Sequence, residues 1–192
     1  MAMSDDATIE ATKREWRELG FFYDRDDQAR VWKLTGSRAG LLRFRDALLS
    51  FVADPRNASK SEHEHYGPYA YLEVMTWPEA GFDDHAIRGS LTDLARLAKL
   101  IEIKIAAGDP GSSALIREEF ASDSPYTLAL DLREDGFDPA TADPPFTSRK
   151  HHASGAGNSV IIDAESPPKI ICPISRPLPR DHRLIGATLA RE

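Results

Sequence analysis

The chain has 192 residues and a formal net charge of −7, with 41% hydrophobic and 29% charged side chains. That balance belongs to one globular domain, with room for an appendage, and excludes a wholly disordered chain. No apolar run approaches the roughly 20 residues that span a bilayer. The single cysteine, Cys172, excludes an intrachain disulfide and a cysteine-built zinc site.

Residues 1–18 form an N-terminal extension. Met1 to Glu10 is acidic and lacks the basic start and apolar stretch of a secretory leader, so a cytoplasmic location is expected. Leu19 to Asp24 reads as a strand, paired as a hairpin with Arg30 to Thr35 across Arg25-Asp26-Asp27-Gln28. Gly36 ends that strand and Ser37 is placed to cap a helix over 38–53. There Leu41, Phe44, Leu48 and Phe51 share one face, and Asp54-Pro55 stops the helix.

The polar run Ser61-Glu62-His63-Glu64-His65-Tyr66 follows, and then a strand, Pro68 to Thr76. Its alternation puts Tyr69, Tyr71, Glu73 and Met75 on one face and Ala70, Leu72 and Val74 on the other. Gly89-Ser90 opens a second helix over 91–107, with Leu94, Leu97, Ile101 and Ile105 on one face. Asp93 stands three residues after the capping serine, and Gly108-Asp109-Pro110 ends the helix. Ala114 to Phe120 and Tyr126 to Leu132 read as a final pair of strands.

The two halves repeat. Shifted by 53 positions, Gly36-Ser37 falls on Gly89-Ser90, Leu41 on Leu94 and Phe44 on Leu97. Past the helices the shift becomes 57, so Pro68-Tyr69 falls on Pro125-Tyr126 and Glu73 on Leu130. Strand, helix, strand, twice over, predicts an α+β two-layer sandwich of the ferredoxin-like βαββαβ kind, its antiparallel sheet widened to six strands by the flanking pieces. The predicted domain is 19–137. Eight of the 13 prolines lie beyond Phe137, so 138–192 is expected to be a proline-rich, largely irregular tail with strand-like stretches only at Ser159 to Ile162 and Lys169 to Cys172.

The charge is uneven. Residues 138–192 carry seven basic and six acidic side chains, so the 25 acidic against 17 basic of residues 1–137 hold the excess. An acidic domain repels phosphate backbones and attracts basic partners, so nucleic acid and membrane are not expected as partners. The chemistry-bearing motifs are few. No phosphate-cradling glycine loop or nucleophile elbow occurs, and no cofactor is expected. His63 and His65 have the spacing at which two imidazoles of one strand bind a metal, with the third ligand left open. Tyr66, Tyr69, Tyr71 and Glu73 together read as an exposed binding surface, since aromatics beside a carboxylate are typical of protein interfaces.

The run from Ser61 to Trp77, together with Ile87-Arg88-Gly89-Ser90-Leu91-Thr92-Asp93-Leu94, resembles bacterial polymorphic-toxin immunity proteins of the immunity protein 32 type, over about residues 29–133. The resemblance implies a non-enzymatic protein that binds and blocks a bacterial toxin domain, and it brings no catalytic residue. Two other readings stand beside it. One is a ferredoxin-like regulatory or oligomerisation module, acting as a homodimer. The other is a small metal-binding protein or metal-dependent enzyme that uses His63 and His65.

Overall fold

The computed structural model describes residues 3–144. Three helices, α1 (Met3–Leu19), α2 (Arg38–Ala53) and α3 (Leu91–Ala107), accompany eight strands. In chain order these are β1 (Phe22–Asp26), β2 (Val31–Ser37), β3 (His63–Tyr66), β4 (Leu72–Thr76), β5 (Gly81–Phe82), β6 (Ala86–Gly89), β7 (Ser113–Ile116) and β8 (Thr127–Arg133). The chain is therefore α+β, as its sequence pattern predicts.

The arrangement of the strands differs from a ferredoxin-like sandwich. There are two four-stranded sheets, ordered β1-β2-β8-β7 and β3-β4-β6-β5. Each is made of two antiparallel pairs joined at its centre by a parallel pair, β2 with β8 and β4 with β6. The hairpin that follows each helix thus leaves the sheet of the strand that preceded it. The repeated unit is strand–strand–helix–strand–strand, and the two copies exchange their second hairpins.

The helix signals act as the sequence suggests. Ser37 caps α2 by accepting the Gly40 N–H at 3.2 Å. Ser90 and Asp93 cap α3 reciprocally: the serine hydroxyl oxygen accepts the Asp93 N–H, and the aspartate carboxylate accepts the Ser90 N–H. The helices lie side by side and antiparallel. Arg38 in the first turn of α2 donates to the carbonyls of Ile105 and Gly108 at the far end of α3, where free carbonyls and the negative dipole end favour a cation. Arg45 of α2 reaches Glu102 of α3 at 3.2 Å.

One continuous core joins both sheets and both helices. Leu41, Phe44, Leu48 and Phe51 of α2 meet Leu94, Leu97 and Ile101 of α3, with Trp32, Leu34, Leu72, Val74, Ile87, Leu128 and Leu130 from the strands. Each such side chain gains roughly 2 kcal/mol from burial. The two sheets are also stitched by polar contacts. The Tyr23 hydroxyl donates to the Tyr66 carbonyl at 2.6 Å, and the Tyr126 N–H to the Phe82 carbonyl at 3.1 Å.

Two further segments join this unit. Residues 3–19, to which the sequence pattern assigns no element, form α1, and its Trp16 is fully buried. Past Phe137 the chain makes a short 3-10 turn, Pro139–Thr141, with Pro139 and Ala140 buried. Asp143 is 2% exposed beneath α1. Residues 145–192, with the strand-like stretches and Cys172 of the expected tail, lie outside the described residues.

Candidate functional site

The strand expected over Pro68 to Thr76 begins only at Leu72. Upstream of it the chain turns at Gly67 (φ +78°) and Ala70 (φ +53°), and the Ala70 N–H closes the turn on the Gly67 carbonyl at 3.1 Å. Gly67 is required there twice over. Its φ is left-handed, and a Cβ would stand 2.5 Å from the Tyr23 ring. This turn divides the expected surface of Tyr66, Tyr69, Tyr71 and Glu73 into three places.

Tyr69 and Tyr71 swing away from the strand into a ladder of rings. They stack on one another with centroids 6.3 Å apart and planes 12° from parallel. Tyr71 in turn stacks on Trp32 at 6.2 Å and meets Tyr23 edge-on at 4.7 Å. Tyr69 meets Trp16 edge-on at 5.9 Å. Hydrogen bonds fix both hydroxyls: Tyr69 donates to Asp143 at 2.8 Å and Tyr71 to the Tyr23 carbonyl at 3.2 Å. Burial, and then the Asp143 carboxylate, push the Tyr69 hydroxyl up to about 12. Burial, and then the negative charge of Asp24, push Tyr71 above the usual tyrosine range. Both hydroxyls therefore stay protonated donors at neutral pH. Even so, Tyr69 is 47% and Tyr71 37% exposed.

Tyr66 lies apart on β3, half-buried, its hydroxyl donating to Glu64 at 2.8 Å. Glu73 is on the other side of the second sheet. The buried positions of β4 are Leu72, Val74 and Thr76, which leaves Glu73 and Met75 facing outward. The pairing register also moves the expected match between the halves by one residue. Gly36 stands opposite Leu132 and Gly89 opposite Thr76, so Val74, not Glu73, is the counterpart of Leu130. Both are buried, so the paired strands match apolar with apolar and the expected pairing of Glu73 with Leu130 is replaced.

His63 and His65 share the outward side of β3, with ring centroids 5.1 Å apart. Across the hairpin, His63 stands opposite Met75 and His65 opposite Glu73. Among the described residues no three histidine, cysteine, aspartate or glutamate side chains gather as a metal-ligand set. The imidazole pair is thus placed together, and the described residues bring no third ligand of those types to it.

The sequence pattern did not single out the residues that border the tyrosine ladder. Asp24, Asp26 and Asp27 are exposed on β1 and the turn after it, and Asp84 is exposed beside them. Arg25 connects this group. It pairs with Asp27 at 2.6 Å, donates to the Asp84 carbonyl, and lies over the Trp32 ring at 5.5 Å. The Trp32 indole donates to the Asp83 carbonyl at 2.7 Å, and the Tyr126 hydroxyl to Asp27 at 3.0 Å. The Asp-Arg-Asp-Asp run at a hairpin turn was the available signal, but only the fold brings Tyr71 and Asp84 to it.

This surface is rigid aromatic shelf and acidic border together. It offers flat apolar faces held by buried neighbours, and carboxylates that neutralise a basic side chain. Comparison with known protein families, with curated proteins and with solved structures finds no match to this chain.

Proposed function

We propose that this chain is a non-enzymatic protein-binding domain of the toxin-neutralising immunity type. It binds its target through Tyr69, Tyr71 and the adjoining aspartates. The observation that carries the reading is the pair of half-exposed tyrosines locked in a ring ladder. Both side chains are already ordered before a partner arrives, so little conformational entropy is lost on binding. Tyrosine is also among the residues that concentrate binding energy in interfaces. The acidic border adds a preference for a basic partner. A nuclease-type toxin domain has such a surface, because its own substrate is a phosphate backbone.

Co-expression with any toxin domain that a neighbouring gene encodes tests the reading. Growth should be restored, and the two proteins should purify as a stoichiometric complex. Replacing Tyr69 and Tyr71 together by alanine should weaken that complex by at least about thirtyfold, as expected when two anchors worth over 1 kcal/mol each are removed. An unchanged complex would place the interface elsewhere and remove the reading of this surface.

A further inference from the structure

We infer that the free edge of β7 is a dimerisation strand, pairing antiparallel with β7 of a second copy of this chain. The two sheets have four outer strands, β1, β7, β3 and β5, and three of them resist such pairing. Strand β1 carries Asp24, Arg25 and Asp26, β3 carries His63, Glu64 and His65, and β5 is two residues long. Charged or very short edges are the usual protection against strand addition. Strand β7 is Ser-Ala-Leu-Ile, and no charged residue occurs from Gly111 to Ile116. Its counterpart in the first copy of the repeated unit is the polar β3, so the fold does not itself require an uncharged edge.

The pairing with β8 defines which groups of β7 are free. The Leu132 N–H donates to the Ser112 carbonyl at 2.9 Å, which makes Ser113–Asp131 a non-hydrogen-bonded pair. Ser113 and Leu115 therefore turn their N–H and C=O groups away from β8, and among the described residues no strand lies on that side. Apolar groups border this edge on both faces of the sheet. Leu115, on the face opposite the buried Ile116, is 59% exposed. On the other face, Lys104 and Ile105 of α3 line a small void with Ser112 and Ala114, so the end of α3 overlies β7. Ile103, next to Lys104 and three residues after Leu100 on the outer flank of α3, is 51% exposed.

The strand suits a second copy of itself. A two-fold axis at Ala114 sets Ser113 of each copy opposite Leu115 of the other, where the outward N–H and C=O groups can exchange hydrogen bonds. No like charges meet within the strand. At its ends Arg117 falls opposite Gly111 of the second copy, close to Asp109, so opposite charges approach. Glu119, which falls opposite Asp109, lies beyond the strand and pairs with Lys104 of its own chain. The same operation on β1, about Arg25, would set Asp24 against Asp26. Pairing through β7 covers Leu115 and Ile103 together and joins the two first sheets into one. Strands β7 and β1 are opposite edges of that sheet, so the surface of Tyr71 beside β1 stays open in the dimer.

Analytical ultracentrifugation of the full chain from about 5 to 500 µM tests this, since a short strand and one helix flank make a small interface with a micromolar constant. A reversible monomer–dimer equilibrium is expected. Leu115→Lys and Ile103→Glu should each weaken it about tenfold or more, because each change acts twice across the axis. Leu49→Lys alters an exposed leucine of α2 and should leave the constant within about twofold. Hydrogen exchange gives a second measure: the Leu115 N–H should exchange slowly at high chain concentration and rapidly on dilution. Circular dichroism confirms that each variant remains folded. A monomer over the whole range, or a dimer that Leu115→Lys leaves intact, would overturn the inference. So would a Leu115 N–H already protected in the monomer, which would show that the edge is covered by the same chain. Neither result bears on the tyrosine surface, because this inference does not rest on the protein-binding reading.

Discussion

Asp143 accepts the indole N–H of Trp16 at 2.8 Å, a contact between residues 127 positions apart in the chain. Both are buried, and the same carboxylate oxygen takes the Tyr69 hydroxyl at 2.8 Å. Asp143→Ala would leave the indole N–H without a partner in a closed environment, at a cost of about 2 kcal/mol. Tyr69→Phe removes the more exposed partner and should cost about 0.5–1 kcal/mol. Urea unfolding of the two variants measures both. Equal midpoints would mean that the indole finds another acceptor.

Gly40 lies inside α2, where glycine-to-alanine exchange ordinarily gains about 1 kcal/mol. Here the sign should reverse. A Cβ at Gly40 would stand 2.0 Å from the carbonyl oxygen of Gly20, a backbone atom that cannot rotate away. Gly40→Ala is expected to destabilise the protein by about 2 kcal/mol or more through forced displacement of the segment joining α1 and β1. A thermal midpoint above that of the parent would refute this.

The two helix caps should not be equivalent. Ser90 takes part in a reciprocal pair, its hydroxyl also donating to Asp93 at 2.6 Å, whereas Ser37 satisfies one N–H alone. Ser90→Ala should cost about 1–2 kcal/mol and Ser37→Ala about 1 kcal/mol or less. Denaturant midpoints for the two substitutions, measured side by side, give the order directly.

Acid should weaken the β5–β6 corner through Asp83. Burial raises the carboxyl, but the N–H groups of Ala86 and His85 and the Arg88 guanidinium outweigh it and hold Asp83 below the usual range. A carboxyl whose pKa is lowered by folding contributes stability above its unfolded pKa, near 4, and loses it as pH falls through the folded value. Asp83→Asn should therefore be about 1–2 kcal/mol less stable than the parent at pH 7, with the gap narrowing as pH falls below the unfolded value, near 4, and through the folded one. A gap that stays constant across that range would exclude the ionised carboxylate as its source.

The helices and their caps were legible because their signals are local. Serine, the apolar three-and-four spacing and the Asp54-Pro55 stop all act within a few residues. The sheets were not, because strand pairing joins distant segments and period-two alternation is silent about the partner. The pattern around Val31 and Leu130 is the same whether β2 pairs with a strand next along the chain or with β8. The tyrosines depart from strand alternation for a local reason: positive φ at Gly67 and Ala70 breaks the period just before Leu72. Helix α1 leaves no periodic signal because it is held chiefly by one large side chain, Trp16, and one residue carries no period. The Pro-Tyr pairs differ in spacing from the paired strands by one residue, so sequence likeness sets Glu73 against Leu130 where pairing sets Val74.

The parallel join of β2 to β8 sets an order of assembly. Leu34 lies beside Leu130 in that pair, so the first sheet can close only after nearly the whole domain has been made. The second sheet draws all four of its strands from residues 63–89 and is available much earlier. A ribosome-bound chain halted before β8 would hold Trp32 and the early hairpin without their central neighbour, leaving an open edge and an uncovered apolar face. Strand β8 thus converts the first hairpin from a sticky liability into the wall that supports Tyr71.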